Sequence, residues 1–165
     1  GDKVVLKDLG SRNGTFVKQR KDTDLATGDV FLIGRQLFRF SIEAPQEEQG
    51  DMEGTRLMMG VPKLQPGAPT GKIERIQLTG EVIETFKIEK AETTLGRTKG
   101  DLTFKTDPYM SGEHARIIMQ GAKFVLRDLK SRNGVYRRIR GEAELHHGDE
   151  FFMGEQIFRA EVKVS

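Results

Sequence analysis

Ser131-Arg132-Asn133-Gly134, preceded by Asp128-Leu129 and followed by Gly148-Asp149, decides how this chain is read. Ser11-Arg12-Asn13-Gly14 stands 120 positions earlier with the same flanks. With no gap, Leu6, Asp8, Leu9, Leu25, Gly28, Asp29, Phe31, Gly34, Gln36, Phe38 and Arg39 recur as Leu126, Asp128, Leu129, Leu145, Gly148, Asp149, Phe151, Gly154, Gln156, Phe158 and Arg159. Agreement sustained over that span marks an internal duplication. The copies are unequal. The first begins inside the motif, whereas the second is preceded by strand-like sequence without a counterpart in the first, so one unit is whole and the other a back half.

Bulk properties fit this reading. At 165 residues, 36% apolar and 32% charged, the composition is that of an ordinary soluble chain with room for two small domains. No apolar run approaches the roughly 18 residues that suggest a membrane helix. With no cysteine and three histidines, disulfides and thiolate chemistry are excluded and little is left for a zinc site. A cytoplasmic location is expected, with no cofactor and no metal. The net charge of +2 gives no strong global field. Lys18, Arg20 and Lys21, and again Arg137, Arg138 and Arg140, form basic clusters at matching places in the repeat. Without interleaved aromatics to stack on bases, those clusters argue against a nucleic-acid partner.

Short runs rich in Val, Ile, Phe and Thr, punctuated by Gly, Asp and Asn, predict an all-β antiparallel sandwich with almost no helix. Strands are expected near 73–79, 84–90, 93–97, 101–104, 114–120, 123–129, 134–137, 143–146, 149–153 and 156–164. Phe124, Leu126 and Asp128 alternate with Val125, Arg127 and Leu129, as a strand with two unlike faces requires. Ile157, Ala160 and Val162 suggest a bulge late in the last strand. The domains are therefore 1–44, a half-sandwich; 45–72, a linker carrying Pro45, Pro62, Pro66 and Pro69; and 73–165, a complete sandwich. Leu57-Met58-Met59 in the linker is an apolar island expected to lie over a neighbouring sheet. Gly67–Ile73 mimics a phosphate-binding loop but has three residues between its glycines and isoleucine after the lysine, so it is set aside.

In the complete unit, Gly96-Arg97 ends one strand, Ser111 and His114 follow the turn at Asp107-Pro108, and Ser131-Arg132-Asn133-Gly134 forms a tight loop. Loops converging at one apex of a sandwich would gather two guanidinium groups, two hydroxyls and a carboxamide. Such a set suits an anion. A phosphate monoester carries about −1.5 to −2 charge and three acceptor oxygens, which the planar fork of an arginine matches. Taken singly, each residue has a plainer role: Arg97 as a solvated surface side chain, Ser111 as a turn cap, Asn133-Gly134 as a hairpin turn. It is their combination that points to a ligand. No second histidine or carboxylate sits at a motif spacing from His114, so metal ligation and general-base catalysis are not expected. His146-His147 reads as a solvent-facing turn.

Gly96-Arg97, Ser111-x-x-His114, Asp128-Leu129-x-Ser131-x-Asn133-Gly134 and Leu145-x-x-Gly148-Asp149 together resemble the forkhead-associated (FHA) domain, fully over about 73–165 and as a second half over 3–43. The resemblance implies a sandwich of about eleven strands that binds phosphothreonine peptides through its apical loops. By that resemblance Arg97 and Ser111 hold the phosphate, Arg132 adds to it, and Asn133 bonds the peptide main chain. Gly96, His114 and Gly134 are then structural supports, with His114 bracing the loop of Ser111. Gly112-Glu113 stand where the family often has a basic or polar residue that touches the ligand, and Val135 where threonine is usual. The implied protein is a non-enzymatic signalling adaptor whose partner carries a phosphothreonine made by a Ser/Thr kinase. The alternative is a phospho-independent assembly module.

The half unit holds Ser11, Arg12 and Asn13 without counterparts of Arg97, Ser111 or His114, a partial site not expected to bind phosphopeptide alone. Its open sheet edges and apolar face need a cover. Three sources are open: strands preceding residue 1, a separate chain that complements it, or dimerisation through two half units.

Overall fold

The structure is a computed structural model, described over residues 3–43 and 69–163. Every regular element among the described residues is a strand. The first copy contributes β1 (Val4–Lys7), β2 (Thr15–Lys18), β3 (Thr23–Leu25), β4 (Val30–Ile33) and β5 (Gln36–Glu43). The second unit opens with a front half of β6 (Thr70–Ile76), β7 (Val82–Ile88), β8 (Glu92–Gly96), β9 (Leu102–Thr103), β10 (Ala115–Gln120) and β11 (Lys123–Asp128). Its back half, equivalent to the first copy, is β12 (Val135–Arg138), β13 (Glu142–Leu145), β14 (Glu150–Met153) and β15 (Gln156–Arg159). Thr70–Lys72, expected in the linker, instead open β6; residues 44–68, with Leu57-Met58-Met59, lie outside the described residues.

The strands pair across the repeat. One sheet runs β15-β14-β2-β12-β4-β5-β6-β7, a second runs β3-β11-β10-β8-β9, and β1 pairs β13 alone. All neighbours are antiparallel except the short parallel contact of β8 with β9. The front half is thus closed by β3, β4 and β5 of the first copy, where the sequence reading gave that place to the second unit's own strands. The crossing is reciprocal: Phe124 faces Leu25 as Val4 faces Leu145, and Val135 faces Ile33 as Thr15 faces Met153. At its centre β2 pairs β12 with Val17 opposite Arg137, flanked by Phe16 with Arg138 and Lys18 with Tyr136, a local two-fold relating equivalent residues.

Packing explains which copy closes the sandwich. The main core joins Leu25, Phe31, Ile33, Phe38 and Phe40 to Ile73, Ile88, Leu95, Ile117, Phe124 and Leu126. Phe40 lies against Phe124 with ring centroids 5.1 Å apart, and Phe38 meets Phe104 edge-on at 5.5 Å. Gly71 makes room, since a side chain there would meet both Phe40 and Phe124 at about 3 Å. In the second copy Ala160 stands where the first has Phe40, and Met153 where it has Ile33. A Phe-to-Ala void costs about 3–5 kcal/mol, enough to favour the first copy's strands. The displaced set is bare: Phe158 is 43% exposed and Met153 37%, whereas Phe38 and Ile33 are fully buried.

A smaller cluster of Phe16, Val30, Ile76 and Tyr136 forms on the other face at the crossing. Burial, with Glu150 beside it, pushes the Tyr136 hydroxyl up to about 12. The last strand ends at Arg159 without the expected bulge; the register shift lies instead between Arg75 and Ile76, where β6 meets β7.

Candidate functional site

The three loops meet at one end of the front half. β8 terminates at Gly96, where any side chain would collide with the backbone carbonyls of Gly112 and Lys99. That contact lets the loop after β8 wrap the next one: Thr98 N and Lys99 N both donate to the Gly112 carbonyl, and Arg97 N donates to the Ser111 carbonyl at 2.9 Å. Arg97 is half-buried and Ser111 likewise.

His114 ties the second loop to the third. Its Nδ1 accepts the backbone N–H of Ser111 at 3.0 Å, which leaves Nε2 to donate to the Gly134 carbonyl at 2.8 Å. The side chain is fully buried, and burial pulls the imidazole below its ordinary value. Both nitrogens being occupied, the ring supports the loops and is not placed to deprotonate Ser111.

The third loop is shaped by Asp128, which accepts from Ser131 N at 3.0 Å, while Ser131 Oγ accepts from Gly134 N at 2.9 Å. Gly134 has φ +80 and packs on Lys18, where a side chain would clash. The loop then reaches across: Arg132 N donates to Ser111 Oγ at 3.0 Å, and Asn133 Nδ2 donates to the Tyr109 carbonyl at 2.8 Å. The Ser111 hydroxyl therefore accepts from protein and keeps its own proton to give. Arg132 and Asn133 are exposed, and among the described residues no carboxylate pairs with Arg97 or Arg132. The structure brings Arg97, Ser111, Arg132 and Asn133 together at the backbone.

Asp107, absent from the sequence-based set, anchors this apex. Buried to 2% exposure, its carboxylate accepts from Tyr109 N at 2.9 Å, Arg35 N at 2.7 Å and Gln36 Nε2 at 3.0 Å. The Arg35 guanidinium lies 4.3 Å from the centre of the Tyr109 ring. The first copy's turn thus holds the loop that carries Ser111. Asp107-Pro108 signals a turn in sequence, but nothing local announces a carboxylate gripped from 70 residues away.

The first copy's loop has the same internal bonds, with Ser11 N and Oγ both donating to Asp8 and Gly14 N donating to Ser11 Oγ at 3.1 Å. These bonds hold the Asp8 carboxyl below its usual range. Arg138 packs on this loop at Gly14, and the first copy has no counterpart of Arg97, Ser111 or His114 among the described residues.

The basic clusters meet elsewhere, at the crossing of β2 and β12, around a cleft of about 400 Å³ that includes Arg20, Arg137, Arg138, Arg140, Glu142 and Glu144. Arg137 and Arg140 both bond the Asp29 carboxylate, Arg137 at 2.7 Å. That carboxylate offsets one of the two charges. Among the described residues no group of three or more His, Asp or Glu is placed to hold a metal ion.

A β-sandwich whose apical loops display unpaired cations and a donor-ready hydroxyl defines the class as an anion-receptive recognition module. The FHA domain profile matches residues 1–34 and 93–154, more than half of the chain, and the chain belongs to the FHA domain family. Among solved structures it is similar to Mycobacterium tuberculosis EmbR in complex with low affinity phosphopeptide, at 24% identity and a TM-score of 0.31, over 55% of this chain and 27% of that one. The chain thus spans about a quarter of that protein. No curated protein matches.

Proposed function

We propose that the apex of the front half binds phosphothreonine on a partner protein marked by a Ser/Thr kinase, and that the chain serves as a non-enzymatic adaptor in the cytoplasm. The observation that carries this reading is Ser111: its hydroxyl accepts from Arg132 N and its carbonyl from Arg97 N, so the backbones of two arginines flank one free proton donor. Arg97, Ser111 and Arg132 take the phosphate, and Asn133, with Oδ1 and one N–H in hand, takes the peptide main chain. The saturated hydrogen bonding of His114 supports a binding rather than a catalytic role. Selection of threonine over serine rests on the γ-methyl, worth about 0.8 kcal/mol from burial alone.

Calorimetry with phosphothreonine, phosphoserine and unphosphorylated forms of a degenerate peptide tests the reading. Binding confined to phosphorylated peptides, tightest for phosphothreonine, is expected; equal binding of all three ends it. A phospho-independent assembly role is favoured by one observation, the exposed Ile157 and Phe158 of β15. A protein partner retained equally after joint Arg97→Ala and Ser111→Ala substitution would establish that role.

A further inference from the structure

We propose that the inner face of the front half, residues 70–128, is a docking surface for two segments of this chain, β3–β5 and β13–β15, which exchange upon it and so set the affinity of the apex. The second clause rests on the phosphate reading of that apex; the first does not.

The register is the first ground. β11 pairs β3 with Phe124 opposite Leu25 and Leu126 opposite Thr23. β13 already makes the equivalent pairing with β1, Leu145 opposite Val4 and Ala143 opposite Leu6. Since β1 is the repeat of β11, β13 is cut to the pattern that β11 accepts. The same holds one layer over, where β12 takes Ile33 opposite Val135 and β2 takes Met153 opposite Thr15. The two chain crossings meet at the Val17–Arg137 two-fold, so exchanging them restores the same kinds of strand pair.

Burial is the second ground. The front half covers Leu25, Phe31 and Phe38, while Phe151 and Phe158 at the same repeat positions stack on each other, 5.4 Å apart, and Phe158 is 43% exposed. One face serves two back halves of like pattern, and the unused one leaves Met153 and Phe158 exposed. β5 runs for eight residues and brings Phe40; β15 runs for four and ends before Ala160. The first copy's segment is accordingly the resting occupant.

The apex feels the difference. Asp107 is held by Arg35 N and Gln36 Nε2, and the Arg35 guanidinium covers Tyr109, whose carbonyl holds Asn133. On exchange Gln156 repeats Gln36, but Glu155 takes the place of Arg35. A cation beside the anion site becomes an acid.

The chain has no cysteine, so engineered pairs report cleanly. Arg127 bonds Asp22 at 2.9 Å in the resting closure; the repeat equivalent of Asp22 is Glu142. Full-length chains carrying R127C with D22C, or R127C with E142C, are equilibrated in a glutathione redox buffer, and disulfides are mapped by mass spectrometry. Both pairs should close within single chains, the D22C pair more completely. The form locked through E142C should bind a phosphothreonine peptide about tenfold more weakly, the scale of one screened charge reversal. Val125 paired with Asp24 or with Glu144 repeats the test should substitution of Arg127 impair folding. An E142C pair that closes no more than a pair remote in both arrangements, a disulfide joining two chains, or equal peptide affinity in the two locked forms would each overturn the proposal. If neither form binds phosphopeptide, the phosphate reading fails, and the disulfide yields alone decide the exchange.

Discussion

The backbone N–H of Ser111 donates to Nδ1 of His114 at 3.0 Å, and this one bond fixes the imidazole as neutral with its proton turned to Gly134. Protonation would set two donors face to face. Burial lowers the His114 value, with the Gly134 carbonyl, Asp128 and Asp107 opposing. The unfolded chain takes its proton near pH 6.5, the folded chain only at lower pH. Stability is therefore fully present above the unfolded value and declines as pH falls toward the folded one, by at most about 1.4 kcal/mol per unit. Denaturant unfolding of wild type at about pH 7.5 and 5.5 should show the decline, and His114→Gln should lack its share of it.

On the proposed reading Arg97 and Ser111 act at the ligand, not in the core. Arg97→Ala and Ser111→Ala should each weaken phosphopeptide binding by about 2 kcal/mol or more, roughly 30-fold. Arg97 has no carboxylate partner among the described residues, so its loss should leave the melting temperature nearly unchanged. Arg12→Ala, at the repeat position of Arg132, should leave phosphopeptide affinity unaltered, as titration calorimetry would show.

Gly96 and Gly112 respond oppositely to a side chain. At Gly96 it would strike two backbone carbonyls, so Gly96→Ala should cost about 1–3 kcal/mol and displace the loop of Arg97. At Gly112 it meets only Thr98 Oγ1, at 3.3 Å. Gly112→Arg should fold and, by adding a charge-assisted donor, tighten phosphopeptide binding by about 1 kcal/mol or more.

Asp29 and Asp149 are repeat equivalents with unequal partners. Asp29 faces Arg137 and Arg140, and burial already lowers the Arg137 value. Arg20 Nε comes within 3.0 Å of Asp149 Oδ1 but is not aligned as a hydrogen bond, so this contact joins a buried carboxylate to an arginine that water can reach. Asp29→Asn should cost about 3 kcal/mol by stranding Arg137, Asp149→Asn about 1 or less. Urea unfolding of the two variants would compare them.

Much of this was legible in sequence. Alternation at Phe124–Asp128 gave the strand and its inner face, and the spacing of Gly96, Ser111, His114 and Ser131 gave the loops that meet. The partner of each strand was not legible, because pairing is specified by register and inward-facing residues, and Leu25-Gly28-Asp29-Phe31 carries the same specification as Leu145-Gly148-Asp149-Phe151. Two equal addresses permit two deliveries. Phe40 against Ala160 and Ile33 against Met153, differences in side-chain size and shape at core positions, separate them. Asp107 escaped notice for a related reason: its bonds come from Arg35 and Gln36, which a reading of two independent units places in another domain.

The pairing of Val4 with Leu145 also orders events in time. On the ribosome β1 and β2 are made long before their partners β13, β12 and β14, whereas β10 and β11 can zip as soon as they are made. Contacts so distant along the chain fold slowly, so chaperone demand should fall on β1 and β2 more than on β10 and β11, the reverse of a chain that folds domain by domain as it leaves the tunnel.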